Sequence, residues 1–274
     1  MTVEQIIESA CRDGVRCIEL ASGTRHSSGT DLVRTLEGAR EQGYAFLVHN
    51  YFPVPEQPFV LNLASADPAN LERSLDHVRH AINLAASVES PFYSFHCGFC
   101  LDPSPDDLGG ALHGPTIPLE QALSNFVDSV QDLADYASAK NIDLLLENNV
   151  LSPINLGKVQ LLGVTPEDIE LLLQRIDRSN VWLLLDVGHL KVSAVTLDFD
   201  MRAAAARLAP LVRCCHLSDN DGTEDSNQVI SDDAWFWEPL LGHLDVAPFW
   251  VLEAYNLQPQ MAAEQAMLIE ARVS

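Results

Sequence analysis

Seven short apolar runs recur along the chain, most of them ending in polar or ionisable residues: CIEL (17–20), AFLVHN (45–50), FYSFHCG (92–98), IDLLLEN (142–148), VWLLLDVGH (181–189), VRCCHLSD (212–219) and FWVLEAYN (249–256). Most are hydrophobic throughout rather than alternating, as expected of parallel strands covered on both faces. Between them lie stretches with helical start signals. Asp67 and Pro68 open ANLERSLDHVRHAINLAASV, and Thr165 and Pro166 open EDIELLLQRI. Each pair offers an N-cap followed by proline at the first helical position, and Glu167 and Asp168 then suit the helix dipole. Strand followed by helix, repeated, means βα units and a parallel sheet.

From Glu147 onward the strand ends fall roughly 30–40 residues apart, room for a loop and a crossover helix each time. The expected fold is α/β, a TIM (β/α)8-type barrel. Such a barrel needs eight strands, and a helix-like segment, VEQIIESACRDG, stands where the first is expected. Three readings are open: a neighbouring segment replaces that strand, the barrel lacks it and is open there, or the start lies upstream of Met1. The 274 residues fit one domain, 1–274, because barrels commonly reach about 250 residues without splitting. No internal repeat or low-complexity tract is visible.

The 39 acidic residues outnumber the 16 basic ones, for a formal charge of −23, which repels phosphate backbones and anionic membranes. No nucleic-acid partner is expected. Neither a basic leader nor an apolar span of about 18 residues is present, so the expectation is a cytoplasmic protein with no membrane partner. The six cysteines read as reduced thiols: Cys97 and Cys100 form a lone CxxC, and Cys214 and Cys215 are adjacent on opposite faces of a strand.

One chemical type recurs at the strand ends: His49, His96, Glu147, Asp186, His216 and Glu253. A parallel barrel brings all of these to one end of one cavity. Carboxylates and imidazoles crowded together suit a divalent metal, and without a cation the carboxylates would repel one another and raise their pKa values. Singly, each residue has a plain structural reading; the set carries the signal. Arg213, early in its strand, reads as structural, and Lys191 either reaches substrate or covers the rim. Long polar connections, 102–115, 149–163 and 218–233, follow strand ends and are lid candidates. Trp235, Phe236 and Trp237 read as a hydrophobic closure over a helix start or a subunit contact rather than a face that stacks on a ligand ring. An unpaired sheet edge needs cover, which raises a homo-oligomer.

The order IDLLLEN, LLLDVGH, CCHLSDNDG and VLEAYN resembles the xylose-isomerase-like TIM-barrel superfamily of sugar and sugar-phosphate isomerases and epimerases. FVLNLASADPANLERSLDHVRHAINLA followed by FHCG is similar to the matching part of endonuclease IV. The resemblance implies that Glu147, Asp186, His216 and Glu253 are metal ligands and that His189 is a substrate contact or a ligand of a second metal. It also implies that His49 and His96 bind substrate or, as in the endonuclease-like branch, join His189 and Asp225 in holding further zinc. That branch's Asp-x-His pair falls on Asp225 and Asn227, so one ligand of a trinuclear cluster is missing.

The expected function is a divalent-metal-dependent isomerase or epimerase of a sugar or sugar derivative, acting through a metal-stabilised enediolate. Glu147 and Glu253 would be the catalytic pair, removing and returning a proton on opposite faces. Three carboxylates and one imidazole favour Mn or Mg; recruiting His49, His96 and His189 favours Zn. The alternatives are an endonuclease IV-like zinc phosphodiesterase and a non-catalytic metal-binding barrel.

Overall fold

Each apolar run forms a strand in the computed structural model, which describes residues 1–27, 29–241, 249–255 and 257–273. The strands are β1 (Cys17–Leu20), β2 (Ala45–His49), β3 (Phe92–His96), β4 (Asp143–Glu147), β5 (Val181–Asp186), β6 (Val212–Leu217) and β7 (Phe249–Leu252). They pair in that order, parallel throughout. Asn256, the last residue of the run FWVLEAYN, lies outside the described residues.

Helices occupy the crossovers: α2 (Gly29–Glu41), α3 (Pro68–Ser87), α4 (Leu119–Ser138), α5 (Pro166–Ile176), α6 (Val187–Leu197), α7 (Met201–Leu208) and α8 (Trp237–Leu241). Before β1 stands α1 (Val3–Arg12), opened by a capping box between Thr2 and Gln5; α9 (Pro259–Val273) follows β7. Asp67 and Thr165 cap α3 and α5 through their side chains, with proline next in each case, as their sequence signals predict.

The sheet curls into a nearly closed barrel. The His49 and His216 rings, from β2 and β6, lie 5.0 Å apart between centroids, and Phe92 of β3 meets Phe249 of β7 at 5.2 Å. Among the described residues no ladder joins β7 to β1, so a seam runs between them. Among the described residues the barrel is thus open beside β1.

Alternation along each strand sorts residues into two layers, because successive side chains point to opposite faces. Phe46 and Val48, Tyr93 and Phe95, and Leu144 and Leu146 pack outward in one large cluster with the helices; Leu183, Leu185, Cys215 and Leu217 do so in a second. Phe92, Leu145, Leu184 and Cys214 face inward with Leu47, Trp182, Phe249 and Val251, and form a dry plug. The residue two places beyond each plug residue is therefore also inward: His49 after Leu47, Glu147 after Leu145, Asp186 after Leu184, His216 after Cys214, Glu253 after Val251. Apart from Glu19, Ser94, Asp143 and Arg213, both faces are apolar until the strand ends.

Trp235, Phe236 and Trp237 are buried with Leu183, Leu185 and Leu240, which is the structural reading of that cluster. The lid-candidate connections 102–115 and 149–163 begin beside anchored residues. A bridge joins Phe99 to Leu161 and another Leu101 to Thr116, and the buried Asn149 amide donates to the carbonyls of Cys97, Gly98 and Leu162. The six cysteines are free thiols. Among the described residues no helix is long and apolar enough to cross a membrane.

Candidate metal centre

At the C-terminal mouth of the barrel, above the plug, the structure brings together the six strand-end residues His49, His96, Glu147, Asp186, His216 and Glu253, with His189 and Asp225 beside them. Glu147 is central and buried. Its Oε2 lies 3.4 Å from His49 Nε2 and 3.2 Å from His96 Nδ1, while its Oε1 lies 3.6 Å from His216 Nδ1 and from His189 Nδ1. His216 Nδ1 lies 3.9 Å from Asp186 Oδ2 and 2.7 Å from Glu253 Oε2. One ligand atom from each of Glu147, Asp186, His216 and Glu253 falls within 4.8 Å of the others; His49, His96 and Glu147 form a second such set, and Glu19, His49 and His216 a third.

Asp186 divides its two oxygens. The strand β5 runs into α6 without a loop, and Asp186 is the N-cap of that helix: Oδ1 accepts from the His189 backbone N–H at 2.7 Å. Asn148 holds the backbone on either side of this junction, accepting from Asp186 N at 2.8 Å and donating to its carbonyl at 3.0 Å. Gly188 follows within this junction. It sits in the first turn of α6, where a Cβ would come within 2.6 Å of Ser218 Oγ, so close approach of the β6 loop is what requires glycine. His189 Nδ1 donates to the Asn148 carbonyl at 2.9 Å, which turns Nε2 to within 3.2 Å of Asp225 Oδ2.

Whether these residues suit a cation can be read from what they leave unpartnered. Asp186 Oδ2, Glu147 Oε2, Glu253 Oε2, His216 Nδ1 and His96 Nδ1 are all buried without a hydrogen bond. The 2.7 Å contact between His216 Nδ1 and Glu253 Oε2 is not aligned as one. Buried polar atoms normally find partners, and a cluster aimed at a common space rather than at one another is the arrangement of a ligand set. The residues fit a divalent ion.

Without the ion the local charges are strained apart. Burial pushes Asp186 well above the usual carboxylate range; His189 opposes this, and the charges of Glu253 and Glu147 reinforce it. Burial also works against ionised Glu147, but His96, His49 and His216 prevail and hold it well below the usual value. Burial likewise opposes charge on Glu253, yet His216 brings it down to about 2. His216 and His189 rise well above the ordinary histidine value: burial resists, but Glu19 and Glu253 outweigh it at the first, Asp186 and Asp225 at the second. Desolvation lowers His96 to about 4, which keeps it a neutral, ligand-competent imidazole.

Lys191 does not enter the centre; its Nζ pairs with Asp219 Oδ1 at 2.7 Å on the rim. Arg213 stacks over the Trp182 ring, 3.5 Å from its centroid, as a structural residue. Asp225 is partly buried and Asn227 buried, and the Oδ1 of each lacks a hydrogen-bond partner. Three residues at the site escape the sequence reading: Glu19 on β1, Ser94 on β3 and Asn148 just after β4. Glu19 leaves one signal, a lone acid between Ile18 and Leu20. The other two leave none.

No curated protein matches this chain. Solved structures do. A D-tagatose 3-epimerase-like protein superposes with a TM-score of 0.75 at 20% identity, over 99% of this chain and 93% of that one. D-psicose 3-epimerase with D-tagatose from Clostridium cellulolyticum H10 gives 0.66 at 15%, over 98% and 89%. A xylose isomerase-like TIM barrel protein from Mycobacterium smegmatis in complex with magnesium gives 0.67 at 17%, also over 98% and 89%. At these identities the likeness is one of fold. The xylose isomerase-like TIM barrel family model matches residues 7–270, and the chain belongs to that family.

Proposed function

We propose that the protein is a divalent-metal-dependent epimerase or isomerase of a sugar or sugar derivative, working as one barrel domain. The observation that carries this reading is the shared space of Glu147, Asp186, His216 and Glu253, whose facing atoms are buried and unpartnered. The epimerases among the similar structures support the substrate class. Glu147, Asp186, His216 and Glu253 would hold the ion; Mn or Mg suits three carboxylates and one imidazole, and Zn is favoured if His49, His96 and His189 take part. When bound, the ion supplies positive charge where an oxyanion develops beside the reacting carbon.

The residues do the rest. Glu147 ends β4 and Glu253 directly follows β7, three strands away around the barrel, and both favour the ionised form needed to accept a proton. One takes the proton from carbon on one face of the substrate, and the other returns a proton on the opposite face. His49, His96 and His189 line the mouth and orient hydroxyl groups. The hydrophobic plug beneath closes the cavity to water from below.

The test is deuterium exchange in D2O, with ion-stripped protein reloaded with Mn, Mg or Zn and offered ketoses including D-tagatose and D-psicose. The wild type incorporates deuterium at the carbon beside the carbonyl. Glu147→Gln and Glu253→Gln each lose about 10²–10⁴-fold. Absence of exchange with every sugar and ion tried, despite bound metal, would leave a non-catalytic metal-binding barrel.

One observation favours a second reading. His49 and His96 converge on Glu147 Oε2 while His189 meets Asp225, a histidine-rich arrangement suited to more than one zinc and to an endonuclease IV-like phosphodiesterase. Against it stand Asn227 at a ligand position and the charge of −23. Clean incision of an abasic-site duplex by the zinc-loaded protein at low concentration would reverse the ranking.

A further inference from the structure

Glu19 turns a carboxylate into the barrel from β1, the strand at the seam. Leu20 and Ile18 pack outward with the large helical cluster, so alternation puts Glu19 on the inner face, where its side chain is 9% exposed. Both of its oxygens lie 3.1 Å from His216 Nε2. An ionised carboxylate only accepts, so Nε2 keeps its proton and Nδ1 is left as the atom that can bind an ion. The three histidines whose second nitrogen has a partner differ in what that partner is. His49 Nδ1 meets the Ser94 hydroxyl at 2.9 Å and His189 Nδ1 the Asn148 carbonyl, both neutral; His216 alone of these meets a carboxylate.

We propose that Glu19 is a positioning residue: by accepting from His216 Nε2 across the barrel it fixes the ring plane and tautomer of His216, and so sets the affinity of the centre for its divalent ion. A carboxylate behind a ligating imidazole also makes the ligand more basic. Burying Glu19 is unfavourable without a charged or hydrogen-bonded partner, and His216 provides that partner. The third cluster, Glu19 with His49 and His216, would instead make Glu19 a ligand, and the stoichiometry of ion binding separates the two roles. The inference rests on the metal reading given under Proposed function.

The experiment compares wild type with Glu19→Ala, Glu19→Gln and Glu19→Asp, stripped by chelator and reloaded with Mn2+ alone or Zn2+ alone. Binding is followed by the resonance signal of free Mn2+ and by chelator competition for Zn2+; nitrogen-15 histidine spectra of the Zn2+ form report the Nε2 proton of His216. Glu19→Ala is expected to bind either ion about 10–100-fold more weakly at unchanged stoichiometry, with loss of the slowly exchanging Nε2 proton. Glu19→Asp restores part of both. Glu19→Gln, which still accepts through its amide oxygen but has no charge, falls between, and as a near-isostere it carries the test if Glu19→Ala does not fold. Unchanged affinity together with an unchanged Nε2 proton overturns the proposal. So does loss of one whole equivalent of ion, which would make Glu19 a ligand. A wild type that binds neither ion overturns the metal reading and the proposal with it, and that failure shows in the parent protein rather than in the variants.

Discussion

Asp186 answers to two demands with one carboxylate, a helix cap through Oδ1 and a place in the ion cluster through Oδ2. Asparagine caps about as well as aspartate but carries no charge. A carboxyl whose folded pKa is raised destabilises the folded state as pH climbs above its unfolded value, here 3.8, and Asp186→Asn removes that burden. The metal-free variant should therefore melt no lower than the metal-free wild type at pH 7, while elemental analysis finds less bound metal. A lower melting point at equal metal content would contradict both parts.

His77 gives a pH signature away from the centre. It is buried on α3 with Nε2 donating to the Asn50 carbonyl at 3.2 Å, and desolvation lowers its pKa below the ordinary 6.5. As pH falls through that value the unfolded chain takes up a proton that the folded one refuses, so stability drops on the acid side. Urea denaturation between pH 7 and 5 should show this slope in the wild type and a shallower one in His77→Gln.

At the level of elements, the plug and the centre are two storeys of the same strands. Leu145 sits two residues below Glu147, wholly buried among Leu184, Cys214 and Phe92. Leu145→Ala should cost about 2–5 kcal/mol in denaturant midpoint analysis, and as the floor under Glu147 drops, ion affinity should fall with it. Affinity held at the wild-type value would mean that the storeys are independent.

The same strands show what a sequence reveals. Continuous apolar runs announce strands covered on both faces, and the first ionisable residue past each run announces the cavity. Which residue of a run faces inward is hidden while both faces are apolar. Glu19 is obscured because Leu20, not the acid, ends its run. Gly188 reads as a turn glycine, since nothing local reports that Ser218 will pack against it. Asn148, Ser94 and Asn149 act through backbone and side-chain groups distant in sequence, and no spacing rule finds them.

For the whole molecule, an ion that binds only the folded barrel adds stability by mass action, about 2.7 kcal/mol at a free concentration 100 times its Kd. A scan with and without chelator should show a melting temperature that rises with ion concentration; one that ignores it would count against a folded-state site. The acidic surface makes this measurement sensitive to weakly held counter-ions, so a control with the monovalent salt matched is part of it.

The seam between β7 and β1 has a kinetic consequence. Edge amides that lack a ladder partner open to deuterium sooner than those of β4 and β5, which are paired on both sides. The Glu19–His216 contact reaches past that gap from inside and ties β1 to β6, while Glu253, the residue after β7, joins the same cluster. Ion loading should thus slow hydrogen exchange on both lips of the seam together. In Glu19→Ala it should slow only the β7 lip, so that the barrel is clasped at one side and left to breathe at the other.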